Sequence, residues 1–370
     1  MSKQRWAVIL AVFMALTALA AVPAASAHNS SAREDLGDRG LRDLGALRGL
    51  YIGTAVNMDA LSDDPAYRSL TQTEFSSVTA ENVMKWGEYE QVRGKPNWAP
   101  ADRLIRFAKR NKQSVYGHTV LWHNQLPSWL TSGVSDGSID KAELKSILRS
   151  HVFELVGRYR GKVRAWDVTN EIFNDDGDAT TPATWRNTLW YEAFGPEYVE
   201  WVLRWTRQAD PRADLYINDY NNENFNGKAL AYYNLAKELK RKRVPLDGIG
   251  VQGHLSLKYG HPAAGEIKAV LNRYASLGLD IAFTEVDIRI PMVIGGEPTA
   301  EQVTESTRRW RDVIDACLAV KRCNTFTVWG HTDKYSWIPG WFGDEDWGTP
   351  FTRSYEAKPA YWQLREALAG

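Results

Sequence analysis

The sequence contains few residues that could cross-link the chain or bind a metal. Among its 370 residues there are two cysteines and seven histidines. Cys317 and Cys323 are close in sequence, and a turn between them would bring the two thiols within disulfide distance. Because no third cysteine exists, a metal site built on cysteine is not expected. We therefore predict a disulfide, which suits an oxidising compartment, and neither a metal nor a cofactor.

The sequence also has no excess of charge of one sign. Lys+Arg and Asp+Glu are 45 each, which argues against nucleic acid or an anionic membrane as a partner. There is no G-x-G-x-x-G motif after the first apolar run, no glycine-rich phosphate loop and no G-x-S-x-G elbow. These absences disfavour dinucleotide binding, nucleotide hydrolysis and acyl transfer by serine.

Long apolar runs are missing from the sequence except at its beginning. Lys3 and Arg5 precede an apolar run at 6–22, and Ala25-Ser26-Ala27 has the A-x-A form of a signal-peptidase site. We predict a signal peptide at 1–27 and a secreted protein without membrane contact after cleavage; an uncleaved anchor is the alternative. We expect an N-terminal arm at 28–46. Since no proline- or serine-rich linker follows, one domain is expected at 47–370.

Aromatic residues, in contrast, are abundant. The sequence has 16 Trp and 16 Tyr, whose flat apolar faces and single polar group suit a cleft that stacks on sugars. A tryptophan-rich core would use the same residues, and we expect a share of them to serve that purpose.

Short apolar runs alternate with amphipathic segments of helical period. The runs lie at 51–55, 77–80, 114–118, 163–168, 215–218, 249–252, 281–284 and 325–329. Eight strands alternating with helices predict an α/β protein of the (β/α)₈ TIM-barrel class in a single domain. A doubly wound open sheet is the alternative, which the missing glycine motif disfavours.

Polar and aromatic side chains follow nearly every predicted strand. In a TIM barrel the carboxyl ends of the strands meet at one mouth, which carries the active site. His118, His123 and His254 with Asp287 would permit a metal hydrolase, but their spacing matches no metal-binding motif. A pair of carboxylates among hydrogen-bonding and aromatic groups is typical of glycosidic bond hydrolysis instead.

Several long segments resemble the glycoside hydrolases of family 10, the endo-β-1,4-xylanases. The signature segments are AWDVTNEIFND at 165–175 and FTEVDI at 283–288. VTAENVMKW, GHTVLWHNQLPSW, INDYN, VQGHL and TVWGHTDKYSW match further blocks in the same order. The resemblance implies that Glu171 is the general acid/base and Glu285 the nucleophile of a retaining endo-xylanase acting on xylan and xylo-oligosaccharides.

The resemblance also implies a set of substrate-binding residues: Glu81, Asn82, Lys85, His118, Trp122, Gln125, Asn170, Tyr220, Gln252, His254, Trp329 and Trp337. Asn170 would bind the 2-hydroxyl of the central sugar, Tyr220 with Asn221 would face the leaving group, and Lys85 could instead form a plain salt bridge. His123 and Trp129 are the residues of these blocks that we most readily interpret as structural.

Strand geometry predicts support for the nucleophile. Residues 285 and 287 point to the same side of a strand, so Asp287 shares the mouth with Glu285. His254 from the neighbouring strand could bridge them, and a structural histidine is the alternative interpretation.

Three features depart from the family pattern and are expected to alter the cleft rim or the leaving-group preference. They are His331, Ile172 and the segment WFGDEDW at 341–347. An endoglucanase of mixed specificity and a non-catalytic polysaccharide-binding barrel remain alternatives to a xylanase, and we expect a monomer.

Overall fold

The computed structural model describes residue 37 and residues 39–370. The predicted signal peptide and most of the predicted arm lie outside the described residues. Residues 39–370 form one compact unit, which therefore begins before the predicted start at 47. The helix Leu41–Leu47 accounts for the difference, because Leu41 and Leu44 are buried in the core. The residues next to Leu41 and Leu44 in sequence are mostly polar, so the short apolar face was not recognised from the sequence.

Within residues 39–370, eight parallel strands close into a barrel and two short strands extend it. The strand β9 pairs with both β8 and β1, so the sheet has no open edge. The predicted (β/α)₈ barrel is thus confirmed over a doubly wound sheet. In chain order the strands are β1 (Tyr51–Val56), β2 (Ser77–Ala80), β3 (Ser114–Gly117), β4 (Ala165–Asn170), β5 (Asp214–Asp219), β6 (Gly248–Val251), β7 (His254–Ser256), β8 (Asp280–Pro291), β9 (Cys323–Val328) and β10 (Glu345–Asp346).

The helices surround the strands and cover their outer faces with apolar side chains. They are α1 (Leu41–Leu47), α2 (Met58–Asp63), α3 (Pro65–Glu74), α4 (Trp86–Tyr89), α5 (Ala99–Arg110), α6 (Ser128–Ser135), α7 (Lys141–Arg158), α8 (Leu189–Phe194), α9 (Glu197–Ala209), α10 (Gly227–Arg241), α11 (Ala264–Ala275), α12 (Ala300–Leu318), α13 (Ile338–Phe342) and α14 (Pro359–Ala369), with a 3₁₀ turn at Asp333–Tyr335. Among the described residues no helix is long and apolar enough to cross a membrane.

Strand β8 is much longer than the other barrel strands and was predicted only at 281–284. Its carboxyl half continues past the barrel, where β7 pairs with it in parallel and β10 pairs with it in antiparallel fashion. The pairing partners β7 and β10 are too short to produce a sequence pattern of their own, so this extension was not predicted.

Strands β3, β4, β5 and β8 carry a small buried cluster that is separate from the main apolar core: Tyr116, Ala165, Tyr216 and Ala282. At the amino end of β9, Cys317 of α12 and Cys323 form the predicted disulfide, with their Cα atoms 5.3 Å apart. The disulfide therefore joins a helix to a strand at the end of the barrel away from the strands' carboxyl ends.

The first and last described helices pack against each other. Arg48 donates from Nε to the carbonyl of Leu368 (2.9 Å), and Arg365 donates from Nη2 to the carbonyl of Arg39 (2.7 Å). The two ends of the compact unit are thus joined beside the amino end of β1.

Candidate active site

The carboxyl ends of the strands surround a cleft with a volume of about 1030 Å³. The structure brings together in its lining both predicted catalytic carboxylates, Glu171 and Glu285. It also places there every predicted substrate-binding residue: Glu81, Asn82, Lys85, His118, Trp122, Gln125, Asn170, Tyr220, Gln252, His254, Trp329 and Trp337. A cleft with two carboxylates, amides and tryptophans can hold a hydroxylated ring and act on a bond between two such rings.

Glu285 lies in the middle of β8, buried and surrounded by hydrogen-bond donors. Its Oε1 accepts from Nδ2 of Asn218 (2.8 Å), and its Oε2 accepts from Nε2 of His254 (3.3 Å). Nδ1 of His118 stands 3.8 Å from Oε1. These contacts hold both oxygens of the carboxylate at fixed positions.

Asp287 continues this network below His254. Its Oδ2 accepts from Nδ1 of His254 (2.9 Å) and from Nε1 of Trp337 (2.8 Å). The structure therefore brings together Glu285, His254 and Asp287, as the strand geometry predicted.

The charges in this network keep Glu285 ionised. Burial by itself would raise the pKa of Glu285, but His118 and the hydrogen bond from His254 outweigh burial and hold the pKa below its usual value. Burial would lower the pKa of His254, but Asp287 and Glu285 outweigh it and raise that pKa to about 10. A carboxylate that stays charged and immobile has the properties required of a nucleophile.

Glu171 is held by its main chain instead. It follows β4 with φ +58°, in the left-handed region that side chains other than glycine seldom adopt. Arg186 donates from Nε to the carbonyl of Glu171 (3.0 Å) and from Nη2 to the carbonyl of Phe173 (3.0 Å) and the hydroxyl of Tyr220 (2.9 Å). These bonds stabilise the unusual turn that aims the Glu171 side chain into the cleft.

A chain of amides connects the two carboxylates. Nε2 of Gln252 lies 3.2 Å from Oε1 of Glu171 and 3.2 Å from Oδ1 of Asn170. The same Oδ1 accepts from Asn218 (2.8 Å), which also donates to Glu285. Asn218 fits there because its neighbour is Gly250, where a Cβ would lie 2.2 Å from Oδ1 of Asn218.

The polar residues after β2 and β3 form the opposite wall of the cleft. Lys85 is buried and donates to Oδ1 of Asn82 (3.1 Å), with its ammonium 5.0 Å from the ring centre of Trp122. Burial lowers the pKa of Lys85, while Glu285, Glu81 and Glu171 oppose this shift. Lys85 has no ion pair within 4 Å among the described residues, so the alternative of a plain salt bridge is not favoured.

Tyr220 and Asn221 lie on the side of the cleft next to β5, where the leaving group was predicted. Both donate to Asp175, at 2.7 and 3.0 Å, and Lys228 lies 2.8 Å from the same carboxylate. The Lys228 ammonium also stands 3.6 Å from the ring centre of Tyr220. The ring of Tyr220 is therefore fixed in orientation.

His118, Asp167 and Glu285 form the group of described residues whose nitrogen and oxygen atoms could surround a metal ion, since these atoms lie within 4.8 Å of one another. His118 already donates to Asp167 (2.9 Å), and Asp167 also accepts from the hydroxyl of Tyr116 (3.0 Å). The existing bonds make this a hydrogen-bonded support for His118 rather than an open ligand set.

Two of the departures from the family pattern, which were expected to alter the cleft rim or the leaving-group preference, do not line the cleft. His331 is buried against the ring of Tyr67, with ring centres 4.1 Å apart, and Ile172 is buried in the core. Trp341 and Phe342 of the third departure do line the cleft. Trp129 donates to the carbonyl of Glu90 outside the cleft, in line with its structural interpretation, whereas His123 lies in the lining.

Three residues of the site had no role in the sequence-based prediction. Asn218 follows the rule that strand ends carry the site, because it ends a predicted strand, but no contact was assigned to it. Asp167 is an interior residue of β4, and Arg186 comes from a loop far along the chain, so neither had a comparable signal.

Comparisons with known proteins agree with this geometry. The family model described as Glycosyl hydrolase family 10 matches residues 40–367. Endo-1,4-beta-xylanase B of Thermotoga neapolitana is 38% identical over 330 residues, covering 89% of this chain and 91% of that protein. An endo-1,4-beta-xylanase of Agaricus bisporus is 39% identical over 312 residues, covering 84% of this chain and 89% of that protein.

A solved structure shows the same likeness in three dimensions. Xylanase 10B from Thermotoga petrophila in complex with xylobiose has a TM-score of 0.81 at 38% identity, covering 89% of this chain and 97% of that one. The family resemblance seen in the sequence motifs is confirmed, and the chain belongs to glycosyl hydrolase family 10.

Proposed function

We propose that this protein is a secreted, monomeric endo-β-1,4-xylanase that cleaves internal bonds of xylan with retention of anomeric configuration. The observation that carries the proposal is the contrast between two carboxylates lining one cleft. Glu285 is buried among donors that keep it charged, while Glu171 is only partly buried and its side chain contacts two amides. Relatives named endo-1,4-beta-xylanases and a related xylanase structure with xylobiose support the choice of substrate.

The first step in this mechanism forms a covalent intermediate. A carboxylate oxygen of Glu285 attacks C1 of the sugar, while the protonated Glu171 donates its proton to the leaving glycosidic oxygen. The C1–O bond to the leaving sugar breaks as the ester bond to Glu285 forms. Asn170, placed between Gln252 and Asn218, is suited to bind the 2-hydroxyl of the sugar whose C1 is attacked. This contact strengthens in the transition state.

The second step reverses these roles. Glu171, now ionised, takes a proton from water as the water oxygen attacks C1, and the ester bond to Glu285 breaks. His254 and Asn218 stabilise the carboxylate of Glu285 as it is released. The sugar leaves with its original anomeric configuration.

Secretion is supported by two parts of the sequence. Residues 1–27 have the charge, apolar run and cleavage site of a signal peptide. The Cys317–Cys323 disulfide suits the oxidising conditions met after export.

An NMR time course of products from xylan tests substrate and mechanism together. We expect the first reducing ends to appear in the β configuration and to mutarotate later to the equilibrium mixture. First products in the α configuration would contradict retention. Parallel rates on carboxymethylcellulose test the mixed-specificity alternative, which would be favoured by comparable rates on the two polymers.

A further inference from the structure

The projecting half of β8 builds a separate part of the cleft, which we call the outer wall (residues 254–262, 287–291 and 337–346). Strand β7 pairs with β8 at Asp287 to Arg289, and β10 pairs with it at Ile290 and Pro291. The loops that follow β7 and precede β10 are therefore anchored to one strand beyond the barrel mouth. The catalytic candidate Glu285 lies on that same strand.

A buried ion pair fixes the two loops of the outer wall. Arg289 donates from Nε to Glu345 (2.7 Å) and from Nη1 to the carbonyl of Leu255 (3.3 Å). The hydroxyl of Ser256 also donates to Glu345, and Arg309 donates to the carbonyl of Ser256 (2.7 Å). Because Arg289 and Glu345 are buried, separating them would leave uncompensated charge in the interior. The wall is thus a rigid support.

Two large aromatic side chains project from this rigid support into solvent. Trp341 is 72% exposed and Tyr259 is 65% exposed, and both line the cleft. Their neighbour Phe342 is different, because the guanidinium of Arg289 lies 4.0 Å from its ring centre. Packing within the chain accounts for Phe342 but does not cover Trp341 or Tyr259. Exposed aromatic faces on a rigid surface mark a binding position.

The aromatic side chains lead outward from the catalytic carboxylates. The ring centres of His254 and Trp337 are 4.9 Å apart, and those of Trp337 and Trp341 are 6.2 Å apart. Tyr220, which faces the proposed leaving group, follows β5, and Tyr259 follows β6 and β7. Because β5, β6 and β8 are neighbours in the barrel, Tyr259 lies on the same side of the cleft as Tyr220. A polysaccharide chain leaving the catalytic position on this side would pass the outer wall.

We propose that Trp341 and Tyr259 form an additional pyranose-binding position on the leaving-group side of the cleft. It binds a further xylose unit of the same β-1,4-linked chain by stacking on the two aromatic faces. The inference rests on the proposed function, since it assumes a xylan chain at the catalytic carboxylates. The occupant is a sugar rather than a protein, because the position is continuous with a cleft lined by amides and carboxylates.

Substrates of different length test this position. Trp341→Ala and Tyr259→Ala should each lower kcat/KM for xylohexaose by about three- to tenfold, the loss expected for one aromatic stacking contact. An aryl β-xylobioside places no sugar on the leaving-group side, so its kcat/KM is expected to stay within about twofold of wild type. Trp341→Phe keeps an aromatic face and should retain most of the activity on xylohexaose.

Tyr51→Ala is the matched control, because Tyr51 is 39% exposed at the amino end of β1, away from the mouth. This variant should leave kcat/KM for both substrates unchanged. Equal losses on both substrates, or no loss on xylohexaose, would overturn the inference. So would a change in sedimentation of the Trp341 variant without a change in kinetics, since that would make the surface a protein contact. If wild type cleaves neither substrate, the proposed function itself fails, which is a distinct result.

Discussion

Glu285 on β8 and Glu171 after β4 line the same cleft, but different contacts hold them in place. Glu285 is held through its side chain and Glu171 through its main chain. On the β8 side, Asn218 and His254 bind the side-chain oxygens of a buried glutamate. On the β4 side, Arg186 binds the carbonyl of a glutamate whose backbone is left-handed. Among the described residues, two side-chain amides donate to the carboxylate of Glu171, at 3.2 and 3.3 Å.

The difference corresponds to two chemical requirements. A nucleophile must remain ionised and stationary, so donors and positive charge around its carboxylate help it. A group that gives and then takes a proton must exist in both states, and strong donors to its carboxylate would prevent this. Arg186 binds the main chain of Glu171 and so fixes the position of this residue without contacting its carboxylate.

Exchanging each carboxylate for an amide gives the largest expected effects. Glu285→Gln should lower kcat/KM for both xylan and an activated aryl xylobioside by roughly 10⁵-fold or more, because the covalent step loses its nucleophile. Glu171→Gln should lower the rate on xylan by about 10²- to 10⁴-fold, the usual contribution of a general acid. Steady-state kinetics on both substrates measure the difference.

The activated substrate separates the two roles. A dinitrophenyl leaving group needs no proton, so Glu171→Gln should form the glycosyl-enzyme rapidly and show a burst of released phenol. Glu285→Gln should show no burst. The opposite pattern would exchange the two assignments.

Replacing His254 tests whether this residue lowers the pKa of Glu285. In His254→Asn, Glu285 loses a donor and a positive neighbour, so its pKa should rise. The acid limb of the kcat/KM profile should then move to higher pH. Asp287→Asn is the matched variant: it leaves both side-chain contacts of Glu285 in place and lowers the pKa of His254. A protonated His254 still faces Glu285 at acid pH, so the acid limb should move less than in His254→Asn. Unchanged limbs in both variants would contradict this account.

The same histidine predicts a pH dependence of stability. The pKa of His254 is raised from 6.5 to about 10 in the folded protein. Its stabilising contribution is therefore fully present below pH 6.5 and is lost as the pH rises through about 10. The difference in free energy of unfolding between wild type and His254→Asn, measured in urea, should shrink over this range.

Removing Arg186 tests the β4 side and should have the smallest effect. Arg186→Met keeps the length of the side chain but removes its bonds to the carbonyls of Glu171 and Phe173. We expect kcat/KM for xylan to fall about tenfold, since charged hydrogen bonds to the main chain are lost. The acid limb set by Glu285 should stay in place.

Arg204→Met is the control for that variant, because Arg204 also donates to main-chain carbonyls, those of Lys242 and Arg243, outside the cleft. It should leave the kinetics unchanged. A shift of the acid limb in Arg186→Met would mean that Arg186 also affects the pKa of Glu285, so the two carboxylates would not be held independently.

Features with a local sequence pattern were predictable. The barrel followed from apolar runs that alternate with helical segments, and the placement of Asp287 at the mouth with Glu285 followed from the two-residue period of a strand. Features that depend on distant partners were not. Nothing around Arg186 shows that its guanidinium reaches a carbonyl 15 positions earlier in the chain. His331 was expected to alter the rim or the leaving-group preference because it departs from the family pattern. The ring of Tyr67 that buries it comes from another element, so no pattern around His331 indicated its burial.

The pairing of α1 with α14 has a consequence for engineering. The segments that flank α1 are bonded to α14 near the amino end of β1, through Arg48 to Leu368 and Arg365 to Arg39, on the side of the barrel away from the cleft. A short linker could join the two ends of the compact unit, and new termini could be opened in an exposed helix connection, giving a circular permutant with the cleft unobstructed. A domain fused after Gly370 would likewise start far from the cleft.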